Sequence, residues 1–182
     1  GLKGLISLNK KTKINNINIL RPLLDLKKKD LLFVSKNVFN FYVVDPSNDE
    51  EKFQRIRIRK FLLNLKNEGL DTNKFINTIK NLKHSEDTIM FYVENNLQKN
   101  SFFSEKKNEI ILNNKFFSQP YEVVFRSLSD VIKTIGKNYY SVRGKKLENL
   151  IVEIGKESFF KATLGGCIIK KVKRTIIVSK EY

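Results

Sequence analysis

Asp45-Pro46-Ser47-Asn48, followed shortly by the alternating run Arg55-Ile56-Arg57-Ile58-Arg59, is the stretch on which the reading of this chain turns. Asp and Asn side chains bond nearby backbone and Pro presets its own φ, so residues 45–49 form a turn. Just before it, Phe41-Tyr42-Val43-Val44 is a short apolar strand candidate. Just after it, a helix is expected from about Glu50 to Asn67, with Phe53, Ile56, Leu62, Leu63 and Leu65 on its buried side. Lys52, Arg55, Arg59 and Lys66 fall at helical spacings on one wet stripe, while Arg57 points well away from Arg55 and Arg59. Gly69 suits the left-handed cap that ends such a helix.

Upstream, residues 1–20 read as a loop feeding a short strand, in which Asn15 to Leu20 alternates Asn with Ile. Arg21-Pro22 ends it, because proline has no amide proton for a sheet ladder. Asp25 is a plausible N-cap for a helix to about Asn37, with Leu31, Leu32, Val34 and Val38 on its apolar side. Downstream, a second long helix runs from Asp71 or Thr72 to about Leu97, and the composition then changes near Asn100 and Ser101. Phe102-Phe103 and Ile110-Ile111-Leu112 look like a hairpin. Pro120 fits the first turn of a helix stopped by Gly136, and a further helix spans about Gly144 to Ile154. Ser158–Thr163, Cys167–Val172 and Thr175–Ser179 suggest a small meander with turns at Leu164-Gly165-Gly166 and Lys173-Arg174.

The 182 residues carry a formal net charge of +16. A chain this basic binds polyanions through counterion release. Of the 35 basic residues 28 are Lys, which a coding bias toward A and T would also produce, so the placement of the seven arginines carries more information than the total. No apolar run approaches the roughly 18 residues of a membrane span. The one cysteine, Cys167, excludes an internal disulfide and fits a reducing compartment, so the cytoplasm is the expected location. It reads as a small buried hydrophobe. His84 reads as a solvated helix residue, and with one His and one Cys no structural zinc set exists.

Gly1-Leu2-Lys3-Gly4-Leu5, Arg21-Pro22-Leu23-Leu24, the Asp-Pro-Ser-Asn turn and the basic run occur in an order and spacing that resembles the back half of the catalytic domain of the tRNA(Ile)-lysidine synthases. That family is similar in fold to the PP-loop ATP pyrophosphatases. The resemblance covers residues 1 to about 83 well and the rest more loosely. It implies an α/β remnant of a PP-loop (adenine nucleotide alpha hydrolase-like) domain over residues 1–69, a helical connector over 70–100, and a small basic α+β accessory domain over 101–182. The family's Ser-Gly-Gly-x-Asp-Ser loop, which grips ATP, is absent from the sequence, and the chain does not begin with Met. The expectation is therefore a fragment starting inside the catalytic domain, inactive by itself.

The implied activity is ATP-dependent ligation of free L-lysine to the wobble cytidine of tRNA(Ile) bearing a CAU anticodon. The implied cofactors are ATP and Mg²⁺, bound mainly by the missing N-terminal part. Asp45, Asn48, Arg55 and Arg59 are the candidate catalytic residues, with Gly1, Lys3, Gly4 and Arg21 at the cofactor edge of the site. Most relatives carry Asn directly after the first Arg of the run, where this chain has Ile56, and the Arg-Ile-Arg alternation resembles a subset of the family. Read from the residues alone, Asp45 and Asn48 equally suit caps for the turn, and the arginines equally suit a solvated face paired with Glu50 or Glu51.

Arg57, Arg143, Lys145, Lys146, Lys170, Lys171, Lys173 and Arg174 are the candidate RNA contacts. Tyr139-Tyr140 beside Arg143-Gly144-Lys145-Lys146 combines rings for base stacking with cations for phosphate. From Lys133 to Tyr182 there are 12 Lys or Arg against 4 Asp or Glu, which suits an RNA-gripping module. The alternative is a non-catalytic basic RNA-binding domain.

Overall fold

The computed structural model describes residues 2–6, 8–14 and 17–181. The chain forms two compact units, Gly1–Lys83 and His84–Tyr182.

In the first unit a one-turn helix α1 (Leu2–Leu5) precedes an antiparallel hairpin, β1 (Lys11–Ile14) with β2 (Ile17–Leu20). The expected strand is thus the second arm of a hairpin, and Asn15 and Asn16 lie outside the described residues. Helix α2 (Lys28–Val38) starts later than expected, with Lys27 at its N-cap offering no side-chain bond. Asp25 sits too far upstream to cap it and instead pairs with Lys10. Its apolar positions are not buried: no residue of α2 is enclosed, and Val34 and Val38 are exposed.

Phe41–Val44 is not a strand. A strand exists only where a neighbour takes its N–H and C=O groups, and no described residue pairs with this segment. All four side chains are exposed, Val43 by 85%. After a 3₁₀ turn (Pro46–Asp49), helix α3 (Gln54–Asn67) begins four residues later than the sequence suggested. The delay follows from the turns that precede it: Glu50 N–H donates to Ser47 O and Phe53 N–H to Glu50 O. Of the expected buried side only Ile56 is enclosed, while Phe53, Leu62 and Leu63 are exposed. Its end is as expected. Gly69 has φ +97°, and Leu70 N–H reaches back to Leu65 O at 2.9 Å. Asp71 then caps α4 (Thr72–Asn100) by accepting from the Asn73 amide at 2.8 Å.

The second unit holds the core. Strands β3 (Ser101–Ser104), β4 (Glu109–Leu112), β5 (Lys161–Leu164), β6 (Cys167–Val172) and β7 (Thr175–Lys180) form one antiparallel sheet, ordered β3-β4-β7-β6-β5. The expected hairpin and meander are therefore one sheet, joined where Ile110 opposes Val178 and Leu112 opposes Ile176. Helices α5 (Tyr121–Gly136) and α6 (Gly144–Ile154) pack with it. Leu128 and Ile132 of α5, Leu147 of α6, and Leu112, Cys167, Ile169 and Val178 of the sheet are fully buried.

Pro120 stands at the N-cap of α5 rather than in its first turn. Gly136 does not stop α5 by its own conformation. Lys137 adopts the left-handed backbone, φ +52°. Gly136 is required for space, since a Cβ there would overlap the Gly165 carbonyl oxygen and stand 2.6 Å from Asn138 Nδ2. The end of α4 is tied in by a buried amide chain. Asn100 donates to Asn96 Oδ1 (2.9 Å), and Asn96 donates to Ser127 Oγ (3.2 Å) and Phe116 O (3.3 Å). Satisfying buried amides in this way fixes register as well as contributing stability. Among the described residues no helix is long and apolar enough to cross a membrane.

Candidate functional site

The candidate catalytic segment is built from a turn and a helix start. Asp45 sits at the head of the 3₁₀ turn and its Oδ1 accepts from the Ser47 amide at 2.9 Å. That bond, then one from the Ser47 side chain and the Arg55 charge nearby, hold the Asp45 carboxyl below its ordinary 3.8. The turn therefore presents a fixed anion with an arginine in its field. The Arg55 guanidinium lies 5.6 Å from the centre of the Phe53 ring, and Lys52 Nζ lies 5.1 Å from the same ring. Arg59 is exposed and makes no hydrogen bond or ion pair among the described residues.

Arg57 is engaged differently. Its Nη1 donates to Glu51 O at 2.7 Å and to Lys52 O at 3.1 Å, so it clamps the turn ahead of α3. The Lys60 ammonium pairs with the Glu51 carboxylate at 2.6 Å, and first this hydrogen bond, then the Lys60 charge, hold Glu51 below its usual range.

Of the cofactor-edge residues, Gly1 lies outside the described residues, as does the side chain of Lys3. Nothing lies within 4 Å of a Cβ placed on Gly4, so the protein's own packing does not demand glycine there. Arg21 donates to Thr12 Oγ1 at 2.9 Å and to Asn9 O at 3.2 Å, tying down the β1–β2 hairpin. The side chain of Asn48 is likewise outside the described residues.

In the second unit, strand alternation splits the basic run. Lys171 follows Cys167 and Ile169 onto the helix-covered side of β6, and its ammonium donates to Lys156 O at 3.2 Å. Lys170 lies on the opposite side of the strand, 5.4 Å from the Phe160 ring centre. Lys173 (φ +53°) and Arg174 make the β6–β7 turn and are exposed. Arg143 is the N-cap of α6, and Lys145 and Lys146 stand in its first turn, exposed. Cations there oppose the helix dipole. Tyr139 and Tyr140 are both largely exposed, edge to face at 4.8 Å. Cys167 is fully buried, and burial pushes its thiol up to about 11. His84 is exposed on α4.

Lys171, Lys173 and Arg174 also line a groove of about 490 Å³ with Tyr121, Phe117 and Gln119, none of which the sequence singled out. These come from separate stretches of chain, so no spacing signal announced them.

By comparison with known proteins, residues 1–66 match the family described as PP-loop domain. The matched span includes the hairpin, the Asp45 turn and all but the last residue of α3. Along its whole length the chain is similar to tRNA(Ile)-lysidine synthases. It is 27% identical to that of Wolbachia pipientis wMel over 188 residues, which is 100% of this chain and 42% of the relative. It is 24% identical to that of Anaplasma marginale over 94% of this chain and 37% of the relative. For Mesoplasma florum the figures are 26%, 94% and 42%. The chain thus spans about two fifths of the length of these relatives, and the resemblance read from its first third extends across both units.

Proposed function

We propose that this chain works within an ATP-dependent ligase that joins free L-lysine to C2 of the wobble cytidine in the CAU anticodon of tRNA(Ile), forming lysidine in the cytoplasm. The observation that carries this reading is the similarity to tRNA(Ile)-lysidine synthases along both units, added to the PP-loop match over residues 1–66. In that reaction the C2 oxygen attacks ATP and pyrophosphate leaves. The lysine ε-amine then attacks C2, and AMP leaves with the former C2 oxygen.

Mg²⁺ supplies charge neutralisation at the phosphates. Among the described residues no group of three or more His, Cys, Asp or Glu is placed around a metal ion, and no residue of this chain is assigned to hold it. The sequence has no glycine-rich loop of the kind that cradles phosphate. The work proposed for this chain is different. Arg55 and Arg59 supply cations where negative charge develops on the adenylate. Asp45 and Asn48 border the pocket in this reading, and the Ser47 amide holds the Asp45 carboxylate in place at 2.9 Å. Arg57, bound to Glu51 O and Lys52 O, holds the basic helix start in position.

Changing Arg55 or Arg59 to Ala in the full-length enzyme is expected to slow lysidine formation on the order of 100-fold under single-turnover conditions, with little change in unfolding temperature. Near-wild-type rates for both would reduce the basic run to ordinary surface charge.

The second unit is the part proposed to grip the tRNA, through Arg143, Lys145, Lys146 and the β6–β7 turn. If about six cations engage phosphate, log K falls against log salt with a slope of roughly −4 to −5. The closed core of this unit and its excess of basic residues also suit the alternative, a basic RNA-binding domain without catalysis. Tight tRNA binding by full-length protein that forms no lysidine would favour that reading.

A further inference from the structure

The groove beside the β6–β7 turn joins two kinds of surface rarely found together on a merely solvated face. Its floor is apolar, formed by Val124, Ile151, Ile154 and Ile176, of which three are buried. Its lining also holds three cations, Lys171, Lys173 and Arg174, and no carboxylate. Lys171 is half-buried with its ammonium anchored on Lys156 O, so that charge is held in place rather than swept through solvent. Neither Lys173 nor Arg174 has an ion-pair partner among the described residues.

Phe117 and Tyr121 add two rings to the wall, and Asn114 and Gln119 add neutral donors and acceptors. At about 490 Å³ the groove falls within the range of small-molecule sites. An inorganic anion would satisfy the cations and leave the apolar floor wet, and an uncharged apolar ligand would leave the cations unpaired. A planar apolar body carrying a phosphate satisfies both.

We propose that this groove takes one unstacked nucleotide, with its base against Tyr121, Phe117 and the isoleucine floor and its phosphate on Lys171, Lys173 and Arg174. Its source is a single-stranded part of the bound RNA, and to that extent the inference rests on the RNA-binding reading above.

The test is binding of two probes to the 182-residue chain: a single-stranded RNA hexamer and free AMP, with inorganic phosphate and adenosine as partial ligands. Arg174→Ala and Tyr121→Ala should each weaken the hexamer about tenfold. Lys107→Ala, which removes one charge from the β3–β4 turn, should change it less than twofold. Circular dichroism confirms that each variant keeps its fold, and Tyr121→Phe, which keeps the ring, should bind as the wild type does. AMP should bind more tightly than either adenosine or phosphate. Equal losses for Arg174→Ala and Lys107→Ala, with none for Tyr121→Ala, would overturn the proposal in favour of diffuse charge. AMP binding lost in the groove variants, in a chain that does not bind the hexamer, would uphold the nucleotide site while removing its RNA source. Failure of both probes would overturn the site itself, and full-length protein that still bound tRNA would leave the RNA-binding reading standing.

Discussion

Residues 1–83 and 84–182 are drawn from much the same alphabet, and Leu, Ile, Val and Phe are at least as dense in the first unit as in the second. Yet among the described residues Ile56 is the one enclosed hydrophobic side chain of the first unit, while the second encloses a continuous cluster from Ile110 to Val178. Apolar content is therefore not a core. A core forms where apolar faces meet surfaces of matching period. In the second unit the alternation of β4, β6 and β7 meets the amphipathic faces of α5 and α6. In the first, Phe41–Val44 reads as a short apolar strand candidate, but among the described residues it has no ladder and stays exposed.

The sharpest way to break that contrast is to truncate one apolar side chain in each unit. Leu128→Ala, at a fully buried position, should cost about 2–5 kcal/mol in denaturant unfolding. Val43→Ser, at an exposed one, should stay within about 0.5 kcal/mol. Equal costs would mean that Phe41–Val44 is enclosed in the chain as it exists in solution.

A second wedge is charge. Arg126 donates to Glu86 at 2.6 Å and to Glu122 at 2.7 Å, with Glu86 nearly enclosed and its Oε2 without a hydrogen-bond partner among the described residues. The hydrogen bond to Glu86 first, and that to Glu122 after it, raise Arg126 above its ordinary value. Glu86→Ala should cost about 1–3 kcal/mol by leaving a half-answered cation. Glu86→Met, which restores apolar volume but leaves Arg126 with Glu122 alone, should recover little of that loss, whereas Glu86→Met combined with Arg126→Leu should recover most of it. By contrast the first unit's ion pairs, such as Lys60–Glu51, are solvated and their removal should be close to silent.

Alkaline pH should also reach the second unit selectively. Folded Cys167 keeps its proton to about 11, against an ordinary 9.0. Its contribution is complete below pH 9 and is lost as pH rises from 9 toward 11, where the unfolded thiol ionises and the folded one does not. Cys167→Ser should flatten that part of a stability–pH profile, and in the native protein the thiol should resist alkylation at pH 8.

The smallest effect expected separates two neighbours on one helix. Arg57→Ala, which removes two bonds to backbone carbonyls, should loosen the start of α3 by on the order of 0.5 kcal/mol. Arg59→Ala should leave helix content unchanged. A reversed order by circular dichroism would undo the distinction between clamp and free cation.

Much of the site's framework was legible because it is local. The Asp45 turn, the Gly69 cap, the span of α6 and the glycine and Lys173-Arg174 turns each depend on a few adjacent φ/ψ choices that residue type dictates. The candidate site was less legible. Arg21, Arg55, Arg57 and Arg59 look alike in the sequence, but Arg21 and Arg57 are bonded to backbone, Arg55 lies near a ring, and Arg59 has no such partner among the described residues.

By itself, then, the sequence determined the net positive charge, the order of the helices with their Gly69 and Lys173-Arg174 turns, and the ordered motifs that resemble the tRNA(Ile)-lysidine synthases. The tertiary structure alone decided that β4 pairs with β7, that Gly136 is needed for clearance beside Gly165, and that Lys171 rather than Lys170 lies on the helix-covered side of β6 and lines the groove. It also decided that, among the described residues, Phe41–Val44 finds no strand to pair with. The physical reason is common to all four. A backbone dihedral is chosen by its own residue, whereas a strand partner, a van der Waals clearance or a shared groove is chosen by atoms distant in the chain, whose arrival no local pattern encodes.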